Sequence, residues 1–168
     1  MNAIFLVICS VLFLAVPAWA AEDGFSLYQQ GQYAKAAEAF GKKAMEEPGV
    51  PRWRYNRGVS AARAGDEKTA EGALSSSLIR EADRDVRFQS AYNLGTLALS
   101  AEKYPEAVSY FRKALSEKPG DQDATYNLGL ALWRQQKKEE QEKQQQEQQS
   151  CKNPQQSKDG KSGENKQD

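Results

Sequence analysis

Apolar residues recur at intervals of three and four through most of the chain between Gly24 and Trp133. Ala107, Val108, Phe111, Ala114 and Leu115 show this spacing in one stretch, and no run alternates with the period of two that a half-buried strand requires. The pattern predicts an all-α domain of short amphipathic helices. Pro48 and Pro119 close two of the runs, because proline lacks the amide that would continue a helix. Upstream, Ala3 to Ala20 is apolar apart from Ser10 and Pro17 and ends in Ala18-Trp19-Ala20. A hydrophobic run that finishes in a small-residue site predicts an export signal over residues 1–20. The same run is near the shortest length that spans a bilayer, so a retained inner-membrane anchor is the other reading. Both readings place the rest of the chain in the periplasm or cell envelope. Downstream of Trp133 the apolar period stops. Residues 134–168 are rich in Gln, Lys and Glu and then in polar and small residues, which predicts a helical extension as far as Gln149 and no fold from Cys151 onward.

Within residues 21–133 the helices repeat. Tyr55-Asn56-Arg57-Gly58, Tyr92-Asn93-Leu94-Gly95 and Tyr126-Asn127-Leu128-Gly129 recur at spacings of 37 and 34 residues. Gly95 is followed by Tyr104, Ala107, Phe111 and Pro119; Gly58 is followed by Ala70 and Leu74. Gly31, Tyr33, Ala36, Phe40 and Pro48 match the second half of an earlier unit. These residues resemble the tetratricopeptide repeat (TPR), a helix-turn-helix unit of 34 residues. The resemblance implies a solenoid of about three units plus a capping helix. Gly58, Gly95 and Gly129 on the first helices, and Ala36, Ala70 and Ala107 on the second, are expected to let paired helices approach closely. Tyr33, Tyr104, Phe40, Leu74 and Phe111 are expected to fill the space between them. Three departures stand out. The first unit has little room for its first helix after residue 20, and a ragged first turn is expected there. The second unit carries Glu67 where an aromatic is usual and has extra residues at Glu81 to Arg87, which predict a charged loop. The fourth unit supplies a first helix only.

First helices line the inner face of such a solenoid. By the resemblance, the groove residues are Tyr55, Asn56, Val59, Arg63, Tyr92, Asn93, Thr96, Tyr126, Asn127, Leu130 and Trp133, together with Phe25, Tyr28, Arg52 and Gln89. Tyr55, Tyr92 and Tyr126 form a ladder of rings and hydroxyls, and the neighbouring asparagines carry donors and acceptors for a peptide backbone. The same residues also suit packing between units. Family members that grip a terminal carboxylate place Lys, Asn, Asn, Lys and Arg where this chain has Ala21, Phe25, Asn56, Gln89 and Asn93, so only Asn56 agrees.

Composition narrows the chemistry. Lys plus Arg and Asp plus Glu number 23 each, which leaves no net field to attract nucleic acid. The absence of histidine removes the usual general base and the commonest metal ligand. Of the two cysteines, Cys9 lies in the leader and Cys151 in the polar tail, so cleavage leaves Cys151 alone, with no internal disulfide and no positioned nucleophile, and a cross-link to another chain as its other reading. Ser75-Ser76-Ser77 has no base beside it, and the glycines never gather into a phosphate-binding loop. A non-catalytic binding protein is expected, without cofactor or metal, whose partner is a protein or peptide.

A leader, YN-G units and then a Gln-rich tail resemble the TPR proteins of aerotolerance (Bat) operons, which accompany MoxR-type ATPases. That resemblance implies an envelope adaptor in a membrane complex, and a membrane protein with a von Willebrand A domain as partner. Two other roles remain open: an assembly factor for an exported machine (cytochrome maturation, pilus or outer membrane), or a self-associating scaffold.

Overall fold

Seven helices make up the described residues, 23–152, of the chain in a computed structural model. They are α1 (Gly24–Gln29), α2 (Tyr33–Glu46), α3 (Pro51–Arg63), α4 (Glu67–Ser77), α5 (Arg84–Ser100), α6 (Tyr104–Glu117) and α7 (Gln122–Lys152). Neighbours in sequence pack as pairs, α1 on α2, α3 on α4 and α5 on α6, and α7 closes the stack against α6. α3 also touches α5, and α5 touches α7, so the first helices run together along one face. The architecture is the all-α stack of helix pairs that the spacing predicts.

The turn within each pair has one construction. Gln32, Asp66 and Lys103 donate their amides to the carbonyls of Leu27, Ala61 and Ala98, each at 2.9 Å, which satisfies groups left open by the ending helix. This turn needs a left-handed residue, supplied by Gly31 (φ 75°) and Gly65 (φ 80°) in the first two units and by Glu102 (φ 57°) in the third. Between units, Pro48 and Pro119 lie just past the ends of α2 and α6. Asp23, Asp83 and Asp121 accept amide hydrogens at the starts of α1, α5 and α7, and Asp66 does so for α4.

Glycine sets the spacing inside each pair. A Cβ on Gly58 would fall 2.6 Å from Leu74 Cγ, and one on Gly95 would fall 2.7 Å from Phe111 Cε1. Leu74, Phe111, Ala36, Ala70 and Ala107 are fully buried there, and Phe40 nearly so. Gly24 makes the same approach to Phe40 in the first unit, at 2.8 Å. Neighbouring units are joined by a hydroxyl pair, Ser77 Oγ to Ser90 Oγ at 2.6 Å, with Ser77 also donating to the Leu74 carbonyl. Ser77 of the serine cluster therefore has a structural role between α4 and α5.

Several expectations change. α1 is short but not ragged, because the Asp23 carboxylate accepts from the Phe25 and Ser26 amides at 2.8 and 2.9 Å. The stretch expected to be a charged loop divides: residues 78–83 are the connection, with Leu78 and Ile79 half-buried and Ala82 buried, while Arg84 to Arg87 form the first turn of α5. Gly129 does not serve close packing. A Cβ there would meet nothing within 4 Å, because α7 continues straight instead of turning back as a paired second helix. α7 continues past Trp133, as the extension predicted to Gln149 requires, and ends at Lys152, two residues into the stretch expected to have no fold. No helix among the described residues is long and apolar enough to cross a membrane. The leader or anchor expected over residues 1–20 and the end of the tail lie outside the described residues.

Candidate functional site

The inner face opens into a cavity of about 200 Å³ between the first two units, lined by Phe25, Tyr28, Phe40, Tyr55, Asn56, Val59 and Ser60. α1 supplies Phe25 and Tyr28, α2 supplies Phe40, and α3 supplies the other four. Aromatic contacts hold the walls. Phe25 meets the Phe40 ring edge-on at 5.0 Å and Trp53 at 6.1 Å, and Tyr28 meets Tyr33 edge-on at 5.1 Å. Phe25 is 53 % exposed, so an apolar ring stands at the mouth.

In this apolar surround the Asn56 side-chain nitrogen is buried and has no hydrogen-bond partner. The other two units show what it lacks. Asn127 Nδ2 donates to the Tyr92 hydroxyl of the preceding unit at 2.8 Å. Asn93 likewise stands next to the Tyr55 hydroxyl, whose proton affinity it lowers, and its Nδ2 donates to the Gln89 carbonyl at 2.8 Å. The tyrosine in each pair precedes the packing glycine of its unit by three residues. Three residues before Gly24 stands Ala21, which offers no hydroxyl. Asn56 is thus the asparagine of the series with a free donor, and an orphaned buried amide costs about 1–3 kcal/mol until something accepts from it.

The tyrosine ladder therefore divides into different roles. Tyr92 is wedged between Phe88 and Phe111, with centroids at 6.1 and 5.8 Å, and its hydroxyl is occupied by Asn127. Tyr55 is half-buried; desolvation, and then the Asp85 carboxylate, push its hydroxyl above the ordinary phenol value, against the opposing pull of Asn93. Tyr126 is 71 % exposed at the far end of the stack. Thr96 Oγ1 donates back to the Tyr92 carbonyl at 3.1 Å. Val59 lines the cavity, Leu130 is half-buried, Arg63 is exposed, and Trp133 is half-exposed beneath the Arg134 guanidinium at 5.3 Å. Of the eleven expected groove residues, Tyr55, Asn56 and Val59 meet in the cavity, whereas Tyr126 and Trp133 lie on α7 at the far end of the stack.

The rim of the face is charged. Arg52 bonds Asp83 at 3.0 Å and lies 3.8 Å from Asp85. The Val86 amide at the helix cap, reinforced by Arg52, holds the Asp83 carboxyl below the usual carboxylate range. Farther along, Arg87 and Glu117 form a half-buried pair at 2.9 Å that ties α5 to the end of α6. Its hydrogen bond holds Glu117 low and Arg87 high.

Ser60 as a cavity wall, Trp53 beside Phe25, and Gly24 as a packing glycine are absent from the residues read as functional or close-packed above, and Phe40, read there as packing, also walls the cavity. Gly24 was legible, since it precedes Gly58 by one repeat length. Ser60 and Trp53 carry no signal in the repeat spacing.

Comparison with known proteins agrees with this geometry. The family described as tetratricopeptide repeat matches residues 24–85 and 92–150. No curated protein matches the chain. Among solved structures, the first TPR domain of human RPAP3, determined by NMR, is similar with a TM-score of 0.61 and 21 % identity; the match covers 70 % of this chain and 90 % of that one. The first TPR of Spaghetti (RPAP3), bound to the HSP90 peptide SRMEEVD, is similar with a TM-score of 0.58 and 19 % identity, over 66 % of this chain and 85 % of that one.

Proposed function

Because the chain belongs to the tetratricopeptide repeat family, we propose that it is a non-catalytic adaptor that holds an extended segment of a partner protein against its inner face. The observation that carries this reading is the unpaired Asn56 amide beside an open apolar cavity. A backbone carbonyl of a bound segment accepts from Asn56 Nδ2, and an apolar side chain of the same segment enters between Phe25, Tyr28 and Val59. A domain with a similar fold is bound to a peptide in one of the solved structures, which supports the class of ligand. The finer setting is proposed on sequence grounds: export by the leader over residues 1–20, residence in the periplasm or at the inner membrane, and membership of an aerotolerance-type membrane complex. The partner is then a membrane protein with a von Willebrand A domain.

The test is recovery of the tagged chain, at its native level, from its own membranes in mild detergent, followed by mass spectrometry. Wild type is compared with Asn56→Ala and with Val59→Arg, which fills the cavity. A von Willebrand A-domain protein recovered with wild type and lost with both variants is the expected result. Components of a secretion, pilus or cytochrome-assembly machine, lost in the same way, would keep the groove and replace the complex. A partner retained by both variants would overturn the groove itself.

A further inference from the structure

The face of α7 turned away from α6 is apolar where the end of a repeat stack is ordinarily polar. Tyr126, Leu132 and Trp133 are 71, 41 and 52 % exposed, and Gly129 lies between them with open space above it. At three to four residues per turn these positions form one stripe. Gly58 and Gly95 are covered by Leu74 and Phe111, sixteen residues further on; at that distance from Gly129 stands Gln145, in a helix that has not turned back. Among the described residues nothing covers this notch. Residues 153–168 contain no aromatic or aliphatic residue that would do so.

We propose that a second copy of this chain covers it, with α7 packed antiparallel on α7 about a two-fold axis at the level of Ala131. A two-fold contact requires knob and notch in the same patch. Trp133 and Gly129, one turn apart, meet that requirement: the axis sets Trp133 of each copy over Gly129 of the other. On the flanks Leu132 of each copy falls beside Leu132 of the other, and Tyr126 falls beside Lys137. Thr125 falls beside Gln136 and Glu140 faces Gln122, so no like charges meet along the stripe. Among the described residues the three second helices, α2, α4 and α6, are already seated on Gly24, Gly58 and Gly95, whereas α7 keeps a free face to offer a second copy. A stable dimer commonly buries about 800 Å² per partner. The contact proposed here is confined to one helix of each copy, so dissociation in the micromolar range is expected. The cavity between α1 and α3 lies at the opposite end of the stack and stays open, so a dimer presents two cavities to one assembly and gains avidity without new contacts.

Sedimentation equilibrium of the protein as purified from its own cells, from about 1 to 500 µM, tests this. Gly129→Leu adds a side chain where the single chain has room, and its unfolding curve at low concentration is expected to match or exceed wild type. Gly129→Leu and Trp133→Ala should each raise the dissociation constant at least tenfold, while Asn56→Ala leaves it unchanged. Only the monomer at every concentration would overturn the proposal. So would a dimer whose dissociation constant is unaltered in both variants, or one abolished by Cys151→Ser, which would be a disulfide dimer.

Discussion

Alanine substitution at Gly95 and at Gly129 makes the same chemical change in the same repeat position, yet the two are expected to move stability in opposite directions. In a helix interior Ala is favoured over Gly by about 1 kcal/mol. At Gly129 nothing opposes that gain, since the new methyl meets no atom within 4 Å. At Gly95 the methyl falls 2.7, 2.8 and 2.9 Å from three carbons of the Phe111 ring, which is fully buried between Ala98, Ala107 and Val108 and has nowhere to turn. Overpacking of this kind costs about 1–3 kcal/mol or more. The net expectation is a loss of up to about 2 kcal/mol at Gly95 and a gain approaching 1 kcal/mol at Gly129. Gly58→Ala should resemble Gly95→Ala, because the Leu74 backbone nitrogen stands 3.0 Å from the added carbon and cannot yield as a side-chain tip can. Urea unfolding followed by circular dichroism, at a concentration low enough to exclude self-association, measures all three. A Gly129→Ala variant destabilised as much as Gly95→Ala would refute the reasoning, since it would require α7 to be covered by a second helix of its own chain.

Two further outcomes follow from side-chain bonds. Tyr92→Phe removes the acceptor for Asn127 and should lower stability by about 1 kcal/mol in the same unfolding assay, whereas Tyr126→Phe, at an exposed hydroxyl, should stay within about 0.5 kcal/mol of wild type. The Glu117 carboxyl is held low by Arg87, so its contribution is present in full above the unfolded carboxylate value of about 4.3 and is lost as pH falls through the lower folded value. The thermal midpoint should therefore decline on acidification below about pH 4.5, with a shallower decline in Glu117→Gln. An identical acid slope in the two proteins would show that the Arg87 pair contributes nothing.

The helix pairs and their register were legible because the packing residues of a solenoid must recur: Gly58 with Leu74 and Gly95 with Phe111 are one contact written twice. What repetition hides is context. Gly129 carries the same local sequence as Gly95 but lacks the following helix, and only the straight run of α7 reveals it. Asp83 to Arg87 reads as a charged insertion, yet the Asp83 carboxylate receives the Val86 amide and starts α5 there. The joining of Tyr92 to Asn127 across units depends on the rotation between helix pairs, which no spacing along the chain encodes. The free donor of Asn56 was equally hidden, because it arises from a missing partner in the unit before it and not from any feature of its own unit.

The extension of α7 past Trp133 is helical and exposed, and geometry follows from that. From Arg134 to Lys152 the helix rises about 1.5 Å per residue, which makes a rod roughly 28 Å long. A flexible linker of the same length has a similar average reach but visits every separation from contact to full extension. The rod instead carries both a distance and a heading: whatever is joined beyond Lys152 is aimed along the axis of the last helix, and a shift of one residue in its attachment turns it about that axis by about 100°.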